Sequence, residues 1–156
     1  MRRPEHQFPP LASAETLRVF FDADALIAGA ASTTGASHLL LRLAELGVIA
    51  GITSAQAVRE AEGNLREKLP AAVPAFRAIV SSALEIVADP AAGDLARAHG
   101  QAAEHDLPIL AAAIAARSRW LATFNVRHYR PPAGAFKVTR PGPLVQRICR
   151  ILTQLG

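Results

Sequence analysis

Five aspartates occur in this chain of 156 residues, and two of them, Asp22 and Asp24, stand directly behind the apolar run Val19-Phe20-Phe21. Such a run reads as a strand buried on both faces. A carboxylate at its carboxyl end points into the crevice where open α/β sheets bind ligands. Glu60, Asp106, Thr123 and Asn125 fall at comparable places farther along, each at a strand end or near the start of the following helix. Carboxylates gathered in one crevice repel, and their pKa values rise unless a cation neutralises them. An all-oxygen set suits a hard cation, Mg²⁺ or Mn²⁺, whereas zinc would call for Cys and His. Such ions activate water and stabilise an in-line phosphoryl displacement. These residue types therefore point toward phosphodiester cleavage. A plainer reading stands beside it, in which Asp22 starts a turn and Asp24 caps the next helix.

The elements that would position these side chains alternate in type. A short strand over 17–21 precedes a helix over 35–47, whose apolar spacing ends at Gly47, a residue suited to a helix C-terminus. The strand VIAGIT follows, and Thr53 or Ser54 can cap the helix AQAVREAEGNLREK, which stops before Pro70. A helix over 71–82, the strand LEIVA and a short helix with loop over 90–100 come next. Asp106 opens the alanine-rich helix DLPILAAAIAARS, with Pro108 in the first turn where proline is tolerated. WLATF, a loop, FKVT and a closing helix over 142–155 complete the pattern. Strands alternating with helices imply parallel pairing through right-handed crossovers.

The length is that of one domain with a proper core, and an apolar half of the residues excludes a disordered chain. A lone cysteine, Cys149, excludes an internal disulfide and fits a reducing compartment. The first sixteen residues read as a flexible tail without a signal peptide, and LPILAAAIAA is too short to span a bilayer. The expected setting is cytoplasmic. Net charge is +4, carried almost wholly by arginine, which suits phosphate contacts. The arginines read as scattered, which makes this a weak pointer to nucleic acid.

Three segments together resemble the PIN domain, the nuclease fold named after the amino-terminal region of PilT and related to VapC-type toxin ribonucleases. VFFDADALIAG resembles the family's opening segment, with Asp22 as its first acid and Asp24 where Asn or Ser is usual. GASHLLLRLAELGVIAGITSAQAVREAEGNLREKLP resembles the helix-strand-helix that follows, with the second acid at Glu60 and Asn64 and Leu65 in step. HDLPILAAAIAARSRWLATFNVRHY resembles the most recognisable stretch, with Asp106 as third acid and Thr123 and Asn125 ahead of His128 and Tyr129. The resemblance runs from about Val19 to Thr139 and rests on the order and spacing of these motifs.

It implies a three-layer α/β/α sandwich around a parallel sheet of about five strands, a single domain over 17–156. It implies a metal-dependent endoribonuclease, with the toxin of a toxin–antitoxin pair as one such role. Asp22, Glu60 and Asp106 would hold Mg²⁺ or Mn²⁺, with Thr123 and Asn125 orienting ligands or water. RNA would be the substrate, with an antitoxin and a second copy of the chain as partners and no membrane. One departure is Asn125, where many members carry a fourth aspartate; Asp24 or Glu104 could supply the missing charge. With Asn125 neutral, a non-catalytic RNA- or protein-binding module of the same fold is the alternative. A haloacid-dehalogenase-like phosphatase also opens on Asp-x-Asp, but neither Lys68 nor Lys137 sits in a matching context and no acidic pair follows Asp106. Arg127 and His128 lie near enough to Asn125 to touch a phosphate, or are plain loop residues. Glu62 should face away from Glu60. His38, His99, His105 and Cys149 read as structural or surface residues, with Cys149 among the apolar positions of the last helix.

Overall fold

The computed structural model describes residues 17–134 and 136–155, so the expected tail over 1–16 lies outside the described residues. Strands β1 (Arg18–Phe21), β2 (Ala50–Ser54), β3 (Leu84–Val87), β4 (Trp120–Ala122) and β5 (Lys137–Thr139) form one sheet in the order β3-β2-β1-β4-β5. Every pairing is parallel, with Phe20 opposite both Ile52 and Leu121. Successive side chains of a strand point to opposite faces, yet Phe20 and Phe21 are both fully buried. Helices must therefore cover both faces of β1, and the result is a three-layer α/β/α arrangement.

Those helices are α1 (Ala23–Ala31), α2 (Ala36–Glu45), α3 (Ala55–Lys68), α4 (Val73–Ala83), α5 (Ala92–Arg97), α6 (Leu107–Ala115) and α7 (Pro141–Leu155). The chain steps outward from β1 to β2 and β3, then crosses back to lay β4 on the other side of β1. A crevice opens at such a reversal, beyond the carboxyl ends of β1 and β4. Thr53, weighed above as a helix cap, instead donates from Oγ1 to the carbonyl of Phe21 at 2.8 Å, tying β2 to β1 at that same end. Ser54 takes the cap, accepting from the Ala57 amide.

Local signals explain several boundaries. Gly47, at φ 78°, follows α2; its amide and that of Val48 bond back to Ala44 and Leu43, which closes the helix in a left-handed turn. Gly29 lets α1 and α2 touch, since a Cβ there would collide with Leu41 Cδ1. Pro108 sits in the first turn of α6, and Leu144 and Ile148 form the buried face of α7. Cys149 was expected among the apolar positions of α7 and is exposed, because it stands one residue beyond that face. Among the described residues no helix is long and apolar enough to cross a membrane.

Candidate active site at the β1–β4 crevice

Asp22 ends β1, and its backbone amide bonds to the carbonyl of Ala122 at 3.0 Å, which fixes it beside β4. Its Oδ1 accepts from the Ala23 amide at 2.7 Å and so caps α1. The cap that the sequence offered to Asp24 is thus made by Asp22, because Asp22 holds the extended backbone immediately before the helix. Its Oδ2 accepts two hydroxyls, from Thr123 at 2.8 Å and Tyr129 at 2.7 Å, both of them buried. Burial pushes the Asp22 carboxyl above the ordinary range, outweighing these donors, and Asp106 adds to the rise. Burial and the neighbouring Asp22 carboxylate push the Tyr129 phenol far upward, so it stays a proton donor.

Asp24, one helical step on, looks back toward β4. Its Oδ2 accepts from the Phe124 amide at 3.0 Å and from Asn125 Nδ2 at 3.1 Å, with Thr123 Oγ1 at 3.3 Å. Thr123 has one proton, and the shorter contact to Asp22 takes it; Thr123 Oγ1 accepts in turn from the Asn125 amide. Oδ1 of Asp24 is buried with no partner. An orphaned carboxylate oxygen is costly, and burial together with Asp22 pushes this carboxyl up to about 6.

Asp106 closes the short turn Glu104–Asp106 ahead of α6, and its Oδ2 contacts His128 Nδ1 at 2.8 Å. His128 is therefore a partner of the expected third acid rather than a bare loop residue. Glu60 reaches the same space from α3, with Gln56 Nε2 at 3.3 Å from its Oε2. Asp22, Asp24, Glu60, Asp106 and Asn125 line one cleft of about 600 Å³, together with Asn64, His105 and His128. Thr123 lies beneath its floor. Glu62 faces away, held between Arg66 and Arg77. His105, read as a surface residue, stands on the rim. Neither Lys68 nor Lys137 lines the cleft, as a phosphatase of the dehalogenase type would need.

The acids converge on one space without closing into a ready-made cage: among the described residues no three His, Cys, Asp or Glu side chains form a group that could hold an ion. Several features nonetheless fit a hard cation. The donors are oxygens of carboxylates and an amide, two carboxyls are raised by burial, and one buried carboxylate oxygen has no partner. Tyr129 was the residue that sequence reasoning missed. Its place after His128 was visible as part of a motif, but nothing local showed that its hydroxyl reaches Asp22.

A family model described as the PIN domain matches residues 18–127. No curated protein matches the chain. Among solved structures, VapBC2 from Rickettsia felis, bound to a DNA fragment from its promoter, superposes with a TM-score of 0.62 at 16% identity, covering 79% of this chain and 98% of that one. VapC20 of Mycobacterium tuberculosis, a toxin that cleaves the sarcin–ricin loop, gives 0.51 at 18% identity over 69% and 89%. A Pyrobaculum aerophilum protein gives 0.59 at 18% identity over 86% and 97%. At these identities the structural likeness speaks for the fold.

Proposed function

This chain belongs to the PIN domain family, and on that premise we propose that it is a Mg²⁺- or Mn²⁺-dependent endoribonuclease that hydrolyses RNA phosphodiester bonds. The observation that carries the reading is the convergence of Asp22, Asp24, Glu60 and Asp106 on one cleft with no lysine or arginine among its described lining residues. In that reading Asp22, Glu60 and Asp106 would hold the ion, with Asp24, whose buried Oδ1 has no partner, lining the same cleft. When bound, a hard divalent ion lowers the pKa of water and offsets charge in an in-line phosphoryl displacement.

The chain's own part is positioning. Ala23, Thr123 and Tyr129 fix the Asp22 carboxylate, leaving its orientation no freedom. Asn125 donates to Asp24, so acid and amide lie in contact, the acid at the position where the family usually has Asn or Ser. An aspartate at 125 would meet Asp24 as a second negative charge, whereas asparagine meets it as a donor. Charge at 24 thus stands in for charge at 125. His128 orients Asp106.

The likeness to VapBC2 and VapC20 supports a role as the toxin of a toxin–antitoxin pair, with an antitoxin protein and a second copy of the chain as partners. The test is RNA cleavage by purified protein. Activity should require Mn²⁺ or Mg²⁺, vanish in EDTA, and fall by about a hundredfold or more in Asp106→Asn with the fold intact. Cleavage undiminished in EDTA would count against it. A second reading, a non-catalytic RNA- or protein-binding module, draws on the lack of a closed three-ligand group. Absence of Mn²⁺ binding in a folded protein would favour that module.

A further inference from the structure

The basic residues divide sharply along the chain. Arg18, Arg42, Arg59, Arg66, Arg77 and Arg97 each meet a carboxylate. Beyond Asp106 the sequence contains no Asp or Glu at all, yet it carries eight Lys and Arg. The arginines are scattered along the sequence, but those of the last third have no acid near them in the chain.

Four of the eight gather in one place. Arg119 stands just before β4 and Lys137 starts the adjacent β5, joined by the bond from the Lys137 amide to the Arg119 carbonyl at 3.0 Å. Arg147 and Arg150 stand three residues apart on α7 and so share a face. Together with Trp120, Thr139, Pro143 and Leu144 they line a groove of about 510 Å³ with no acid among its described lining residues. Arg119 lies over the Trp120 ring at 4.6 Å, which fixes its guanidinium. Lys137, Arg147 and Arg150 are exposed and form no ion pair with any described residue.

Arg119 and Lys137 stand at the amino ends of β4 and β5, and Thr139 in the groove wall stands at the carboxyl end of β5, the end at which the cleft opens. The Thr139 carbonyl accepts the amide of Thr123 at 3.0 Å, and Thr123 holds Asp22. β5 is the edge strand of the described sheet, with α7 across the groove from it. We propose that the groove is an anchor for the phosphodiester backbone of single-stranded RNA, gripping the strand beyond the point where it enters the cleft. Three exposed cations with no described ion-pair partner attract a polyanion, and Trp120, the one aromatic residue among the groove's described lining, is buried beneath Arg119 and offers no face to a base. Recognition is of phosphate, independent of sequence.

The inference rests on the nuclease reading only for the identity of the strand, and its test needs no cleavage. Binding of a labelled oligouridylate is measured by fluorescence anisotropy in EDTA at several salt concentrations. The triple variant Lys137→Gln, Arg147→Gln, Arg150→Gln should bind about tenfold more weakly, with the slope of log affinity against log salt reduced by about 2. A triple Arg42→Gln, Arg66→Gln, Arg97→Gln removes the same charge where acids neutralise it, and should bind within about twofold of the parent. Circular dichroism confirms that both triples fold. Equal weakening by the two triples overturns the proposal, since net charge alone would then explain binding. Unchanged affinity in the groove triple overturns it as well, and so does displacement of the RNA by polyglutamate at matched charge, which would assign the groove to an acidic polypeptide. Groove-dependent binding by a protein that never cleaves RNA upholds the anchor while rejecting the nuclease.

Discussion

Carboxylates on two sides of this molecule meet opposite surroundings. On the flank built by α2, α3, α4 and β3, Glu45 faces Arg42, Glu62 faces Arg66 and Arg77, and Asp89 faces Arg59. Hydrogen bonds from Ser82, Arg77 and Arg59 respectively hold these three acids below the usual carboxylate range. In the crevice, Asp22 and Asp24 meet hydroxyls and amides, and burial drives both upward. Arginine is plentiful in this chain, yet none is among the described residues that line the crevice. Groups held against their own solvation in a cleft mark a functional site. Glu45 and Glu62 are half-buried and Asp89 is exposed, each paired with an exposed arginine, and such surface pairs contribute little to stability.

Moving the charge between the two crevice side chains tests that contrast hardest. Asp24→Asn should lower Mn²⁺-dependent cleavage by about tenfold, and adding Asn125→Asp should bring it back to within about threefold, because side chains in contact couple. Calorimetric titration of Mn²⁺ should follow the same loss and recovery. An additive double variant would mean that the two positions are not exchangeable.

Tyr129→Phe removes one of the two hydroxyls on Asp22 Oδ2. A hydrogen bond to a charged acceptor is worth about 2 kcal/mol, so urea denaturation should show a loss of that order. The metal-free protein should also respond to pH. The folded-state value of about 6 for Asp24 lies above its ordinary value, so the native state binds the extra proton. The resulting stability is present at pH below the unfolded value of about 3.9 and is lost as pH rises through about 6. Melting temperature in EDTA should therefore fall across that window, Asp24→Asn should flatten the fall, and Mn²⁺ should reverse it. Glu62→Gln, on the paired flank, should leave the denaturation midpoint where it was, since Arg66 and Arg77 lie in solvent.

What could be read from the sequence was whatever is settled within a few residues. Gly47 ending α2, Ser54 as one of two candidate caps, Pro108 in the first turn of α6 and the alternation of element types all follow from neighbours along the chain. The parallel five-stranded sheet followed from that alternation and from the family resemblance. Beyond that, the partners were too far apart. Tyr129 meets Asp22 across 107 positions and Asn125 meets Asp24 across 101, distances at which spacing says nothing about contact. The helix cap went to Asp22 and not to Asp24 because the backbone bond to Ala122 stops the strand there, again a partner from β4. The groove escaped notice because charge was counted over the whole chain, where acids of the first two thirds mask the bare last third.

The strand that carries the first acid is made early, and the strand it must lean on is made late. β1 sits at the middle of the sheet, yet its neighbour β4 and both hydroxyls that grip Asp22 arrive about a hundred residues afterwards. A nascent chain made only as far as α6 already holds Asp22, Glu60 and Asp106, but the Asp22 carboxylate gains the hydroxyls that orient it only once Thr123 and Tyr129 have been added.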